Sequence, residues 1–200
     1  MMLGVLLLSY VQHSAAARRV LEASAAAFAV GELALAVRGR RGAARSDVAA
    51  ELVFRVVFLA AILAVPLGRA LAPGATVAGG AWAFAAGALV GWSGLLLRWW
   101  SVLTLGRYFT TVLRTSKDQP VVDHGPYRLL RHPSYTGLLL VFAGGGVMVG
   151  NWLGATACVV ILLAALAYRI RTEERALSAA LGDRYRAFAA GRARLVPFLW

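Results

Sequence analysis

The sequence predicts an all-α integral membrane protein: about five transmembrane helices, a long cytoplasmic loop before the fourth, and a C-terminal amphipathic helix. Three observations carry this. Hydrophobic residues make up 60% of the 200, and the mean hydropathy is +0.69. Charged residues account for only 15%, where a soluble domain carries about 25%. Several apolar runs approach the roughly 20 residues that cross a bilayer, and an open sheet could not satisfy its edges in lipid.

The net charge of +12 does not point to nucleic acid. The basic residues sit in short loops and at expected helix ends, where they set topology and meet anionic headgroups. No basic face is interleaved with exposed aromatics in a soluble module. The single cysteine, Cys158, lies inside an apolar run and reads as a small buried hydrophobe.

Met1 to Tyr10 is apolar but short, and no basic region precedes it as in a signal peptide, although Ala15-Ala16-Ala17 resembles a cleavage site. We read it as an uncleaved lead into the first span, about Val20 to Val37. Glu32 lies deep in that span and needs a polar partner; a helix-packing hydrogen bond is favoured over a polar contact near a substrate path. Arg38 to Arg45 forms a basic loop. The second span runs from about Val48 to Leu67, with Glu51 and Arg55 at an ion-pair spacing. Pro66, Gly68 and Pro73-Gly74 then turn the chain.

The third span is about Ala75 to Leu97. Gly87 and Gly91 form a small-xxx-small pair that lets helices approach, as do Gly146 and Gly150. None of these glycines fits a phosphate loop. Arg98-Trp99-Trp100 marks an interface, and a long stretch follows to His132. The fourth span runs from Ser134 to Gly150. Asn151-Trp152 is a tight turn, and the fifth span ends near Ile170. Beyond Arg169, Leu177, Ala180, Leu181, Tyr185 and Phe188 recur at helical spacing, with Gly182 interrupting. This segment suits a membrane surface. Five spans place the loop at 38–45, the long loop and the tail on the cytoplasmic side, with the N-terminus outside; Arg18 and Arg19 oppose that orientation.

Two polar sets therefore share one face. The first is Tyr127, Arg128, Arg131, His132 and Tyr135; the second is Glu173, Glu174 and Arg175. Together they could bind a charged, partly aromatic small molecule, and an arginine could grip a carboxylate in bidentate fashion. No metal site is expected, because His124 and His132 stand eight apart across Gly and Pro and the carboxylates lie far along the chain. Ser134, His132 and Asp123 lack a nucleophile elbow. By composition alone, an ordinary basic membrane-surface loop remains an equal reading.

Gly125-Pro126-Tyr127-Arg128, followed by Arg131-His132-Pro133-Ser134-Tyr135-Thr136-Gly137, resembles the signature of the isoprenylcysteine carboxyl methyltransferase family and its phospholipid methyltransferase relatives. Arg171-Thr172-Glu173-Glu174 with Leu177, Gly182, Tyr185 and Pro197 resembles the same family, as does Leu105-Gly106-Arg107-Tyr108-Phe109-Thr110. The resemblance covers about Leu95 to Phe198. It implies N-terminal transmembrane helices over 1–97 and a methyltransferase core over 98–200.

It further implies S-adenosyl-L-methionine as cofactor, held in a cytoplasmic pocket outside any Rossmann domain. Val121 and Val122 would border the adenine. Gly125, Tyr127, His132, Pro133 and Tyr135 would shape the pocket, and Glu173 or Glu174 would meet the ribose or amino group. Arg131 would orient the acceptor carboxylate, with His132 as the second catalytic candidate. Gln119 stands where many members have His; it can hydrogen-bond but cannot act as a charged base.

The expected reaction is carboxyl O-methylation of an isoprenoid or other apolar acid. The alternatives are O-methylation of a lipidic phenol or enol, N-methylation of a phospholipid amine, and a non-enzymatic membrane binding or assembly role. A carboxylate is already ionised at neutral pH, so positioning matters more than a strong base. The Ala-, Arg- and Gly-rich composition suggests a bacterial inner membrane, with the site facing the cytoplasm.

Overall fold

The structure, a computed structural model, describes residues 10–40, 48–108 and 120–196. Among them, α1 spans Tyr10–His13, α2 Ala15–Arg40, α3 Val48–Leu71, α4 Gly80–Leu105, α5 Pro133–Val149, α6 Trp152–Leu181 and α7 Asp183–Ala190. Short 3-10 turns cover Gly106–Tyr108 and Gly125–Arg128. No strand occurs among the described residues, only two isolated bridges.

Three described helices are long and apolar enough to cross a membrane: Leu52–Leu71 of α3, α4 and α6. Five were expected. The apolar helix α5 has 17 residues, about 25 Å of rise, short of a full hydrocarbon core. Helix α2 is 26 residues long but carries Arg18, Arg19, Glu22 and Glu32, so its apolar character is diluted.

The helix ends differ from expectation in three places. α3 runs through Pro66 and Gly68 to Leu71. Gly68 does not turn the chain; a Cβ there would lie 2.7 Å from the Gly154 backbone nitrogen, so it lets α3 press against α6. α4 continues past Leu97 to Leu105, because Arg98 is buried and paired rather than lying at the headgroups. α6 continues past Ile170 to Leu181, so Glu173 and Glu174 stand on an unbroken helix and not in a tail.

Close packing of α4 on α5 runs through glycine. A Cβ on Gly94 would come within 2.6 Å of the Gly137 carbonyl, and one on Gly87 within 2.8 Å of the Gly144 carbonyl. Gly87 thus acts as expected. Gly91 makes looser contacts, and Gly146 packs on Ala155 of α6. Gly150 instead ends α5 with φ 78°, a left-handed cap that glycine adopts without strain.

The contacts fix the order of directions. Ala17, Ser24 and Glu32 of α2 meet Phe84, Trp92 and Arg98 of α4 in turn, so these helices run parallel. α5 runs antiparallel to α4, and α3 antiparallel to α6. One end of the bundle therefore gathers the C-terminal ends of α2, α4 and α6 and the start of α5. The other end gathers Ala72, Thr76 and Asn151.

Candidate active site

The polar end is built around the start of α5. His132 precedes the helix, and Pro133 supplies its first residue, where a missing N–H costs nothing. The tail then pins this turn from one side. Arg131 and His132 backbone nitrogens donate to the Ala193 and Arg194 carbonyls at 2.8 and 3.1 Å. The Thr136 hydroxyl donates to the Leu195 carbonyl at 2.6 Å. Arg192 donates to the Tyr127 and Phe188 carbonyls at 2.9 and 2.7 Å and stacks on the Phe188 ring.

Helix α6 brings the two carboxylates. The Tyr135 hydroxyl donates to Glu173 Oε1. Arg169, one turn before Glu173, donates from Nε to the Tyr135 oxygen at 2.9 Å and to Glu173 Oε1 at 3.2 Å. Arg131 Nη1 and Arg194 Nε donate to the two oxygens of Glu174 at 2.9 and 3.0 Å. The His132 ring stacks on Tyr135 with centroids 5.7 Å apart. Its Nδ1 lies 3.5 Å from Glu173 and its Nε2 3.4 Å from Glu174. These are ion-pair distances, and Nε2 makes no hydrogen bond although it is buried.

Burial alone would disfavour a charged His132, but Glu173 and Glu174 outweigh it and raise the pKa above the ordinary 6.5. Burial pushes the Tyr127 phenol well up; Glu173 adds to this and Arg98 opposes it. The Tyr185 phenol is also raised, by burial first and then by Glu174. Its hydroxyl is buried with no hydrogen bond.

Tyr127, Leu181, Tyr185 and Phe188 form a small apolar core beside the charges, and Val121, Val122 and Leu177 pack on it. Gly125 opens the preceding turn at φ 58°; a Cβ there would also meet the Thr104 hydroxyl at 3.1 Å. The structure thus gathers Val121, Val122, Gly125, Tyr127, Arg131, His132, Pro133, Tyr135, Glu173 and Glu174 at one end of the bundle. Gln119 lies outside the described residues. Arg128 and Arg175 are exposed and do not join. Arg131 is not open to an acceptor as expected: its guanidinium is committed to Glu174 and to the Arg192 carbonyl, the latter at 2.7 Å.

Sequence reasoning overlooked Arg169, Arg192 and Arg194. Arg169 was legible, since it precedes Glu173 by four on one helix. Arg192 and Arg194 follow α7 in coil and carry no local signal. A second polar group was half anticipated. Glu32 does find a helix-packing partner: Arg98 donates from Nε and Nη2 to its two oxygens at 2.5 and 2.8 Å. Arg98 Nη1 also reaches the Ser134 hydroxyl and carbonyl at 2.9 and 3.2 Å.

Residues 88–179 match the sequence profile of the isoprenylcysteine carboxyl methyltransferase (ICMT) family. A protein-S-isoprenylcysteine O-methyltransferase A of Arabidopsis thaliana is 37% identical over 108 residues, covering 53% of this chain and 55% of the relative. A protein-S-isoprenylcysteine O-methyltransferase of Schizosaccharomyces pombe is 31% identical over 94 residues, covering 46% and 40%. The chain therefore spans about half the length of the first of these and less of the second. The solved structure of a eukaryotic intramembrane Ras methyltransferase, ICMT, overlays with TM-score 0.59 across 73% of this chain and 52% of that one. At 24% identity this establishes a shared fold. Over residues 88–179 the chain is thus similar to the isoprenylcysteine carboxyl methyltransferase family.

Proposed function

We propose that this integral membrane protein is an S-adenosyl-L-methionine-dependent methyltransferase that esterifies the carboxylate of an isoprenoid-bearing cysteine or a similar apolar acid. The observation that carries the reading is the convergence of His132, Tyr135, Glu173 and Glu174 at one end of the bundle, inside the segment shared with named methyltransferases. The relatives are plant and yeast proteins and lend no support to a bacterial inner membrane. A cytoplasmic site rests on the basic residues of that end and the positive-inside rule.

The residues present fit the cofactor. Two carboxylates suit an ammonium group and ribose hydroxyls, and the Val121–Val122–Tyr127 wall suits an adenine face. Buried His132 Nε2 and the Tyr185 hydroxyl make no hydrogen bond, a costly state unless a ligand supplies a partner; both can donate to a carboxylate. When bound, S-adenosyl-L-methionine supplies an electrophilic methyl group. The protein's part is positioning and exclusion of water, because an acceptor carboxylate is already ionised.

Arg169 links the charged end of the site to apolar surface. It stands between the Tyr135 hydroxyl and Glu173 and stacks over Phe54 at 4.6 Å. Phe54 packs with Phe28, Phe58 and Phe142 against the main core, so an apolar tail would meet aromatic surface beside the charged head.

Transfer of labelled methyl to N-acetyl-S-farnesyl-cysteine in membranes holding this protein tests the reading. Incorporated label released by mild base, as an ester is, is the expected result. Label resistant to base, or incorporation no greater than in membranes lacking the protein, overturns it.

A further inference from the structure

The turn that carries His132 and Tyr135 is gripped from two sides. The tail grips one side through Ala193, Arg194 and Leu195. Arg98 grips the other. Its guanidinium is buried at 8% exposure, and each of its three nitrogens is used. Nε and Nη2 go to Glu32, while Nη1 is shared by the Ser134 hydroxyl and carbonyl. Ser134 lies between Pro133 and Tyr135, two residues from His132. The backbone of Arg98 is equally close: a Cβ on Gly137 would come within 2.8 Å of the Arg98 nitrogen.

Glu32 comes from α2, outside the segment matched to the family. Elsewhere α2 holds α4 by neutral contacts. Trp92 Nε1 donates to the Ser24 hydroxyl at 3.0 Å, and Gly31 packs on the Trp99 indole. An ion pair is therefore not needed to dock the helix. A guanidinium spreads its donors over three nitrogens in one rigid plane and so spans Glu32 and Ser134 in a fixed geometry; lysine offers its donors from a single nitrogen on a flexible stem.

We infer that Arg98, oriented by Glu32, is a positioning residue for the His132–Tyr135 turn, so that the amino-terminal helix forms part of the cofactor site. The inference rests on the methyltransferase reading above. Glu32 acts through Arg98, which fixes the rotation of the first turn of α5. That rotation sets where the His132 ring and the Tyr135 hydroxyl stand relative to Glu173 and Glu174. Misplacement on the scale of an ångström is enough to lose large factors in binding and rate.

The test is binding of S-adenosylhomocysteine to the full detergent-solubilised chain, measured by calorimetry beside the melting temperature. The variants are Arg98→Lys, Glu32→Gln and the two combined. Arg98→Lys keeps the charge opposite Glu32 but loses the planar grip that takes both Glu32 oxygens from two nitrogens and Ser134 from a third. It is expected to weaken binding about tenfold or more, with a melting temperature near that of the unmodified chain. Glu32→Gln weakens binding less, and the combined variant is no worse than Arg98→Lys alone, the mark of one shared path. In turnover, KM for the cofactor rises more than kcat falls.

Unchanged affinity in Arg98→Lys, or effects of the two substitutions that simply add, overturns the inference while leaving the proposed function standing. Should Arg98→Lys fail to fold, Glu32→Gln decides by the same comparison. If the unmodified chain binds no S-adenosylhomocysteine, the reading of the site falls and the inference falls with it.

Discussion

The two ends of the helical bundle solve the same problem in different ways. At one end Asn151, fully buried, closes the turn between α5 and α6. Its Oδ1 accepts from the Gly154 nitrogen and its Nδ2 donates to the Ala72 carbonyl, both at 2.8 Å. Both Asn151 contacts are neutral and both polar atoms of its side chain are matched, although Arg69 Nη1, in the last turn of α3 at the same end, is buried without a hydrogen bond. At the other end His132, nearly as buried, faces two carboxylates and leaves Nε2 without a hydrogen bond. Three guanidiniums, Arg131, Arg169 and Arg194, hold those carboxylates. Asn151 closes its turn with matched neutral bonds, whereas the His132 end gathers two carboxylates and three guanidiniums around a buried, unmatched ring nitrogen, the arrangement on which the proposed site rests.

The sharpest way to break this comparison is at Glu174. Glu174→Ala leaves Arg131, Arg194 and His132 without their shared counter-charge. Methyl transfer should fall at least about a hundredfold, and stability by about 3 kcal/mol or more. Rate assays and denaturant unfolding of the purified chain check both, and turnover near that of the unmodified chain would remove Glu174 from the site.

At the opposite end, Asn151→Ala removes the cap of α6 and leaves the Ala72 carbonyl with only the Ala75 N–H. The expected cost is about 2 kcal/mol of stability, with cofactor affinity measured by calorimetry unchanged. A change in affinity would show that the two ends are coupled.

His132 sharpens the contrast through pH. Its folded pKa is raised above 6.5 by Glu173 and Glu174 against the burial that opposes it. The stabilisation is thus fully present below 6.5 and is lost as pH rises through the folded value. Melting temperatures taken between about pH 6 and 9 should decline over that window, and the His132→Gln variant should flatten this part of the slope.

Smaller still is Gly125→Ala. It forces a Cβ into φ 58° and against the Thr104 hydroxyl, for about 1 kcal/mol by denaturant unfolding. Smallest is Asp183→Ala. The Arg186–Asp183 pair is exposed, so the melting temperature should stay within about one degree.

Much of this molecule was legible from the chain. The motif from Gly125 to Gly137 and the Glu173-Glu174 pair were read as converging, and they do. Periodicity located the helix that Gly182 ends, and α7 after it. Glu32, alone and deep in an apolar run, declared its need for a partner. Arg98 was misread because an arginine followed by two tryptophans looks like a membrane boundary. Its partner lies 66 residues away, and no local pattern reports that. The charged stretch after Arg169 looked like a tail for the same reason: charge was taken as an exit from the helix, when ion pairing held it in.

The sequence by itself determined the helical architecture and offered the polar residues that meet at one end of the bundle. These follow from hydropathy, glycine and proline placement and residue type, all of them local properties. The tertiary structure decided which guanidinium meets which carboxylate. Arg131 went to Glu174, Arg169 to Glu173 and Tyr135, and Arg98 to Glu32 and Ser134. Those pairings depend on how far each helix is rotated about its axis and how closely glycines let the backbones approach, which depends on every helix packed around them.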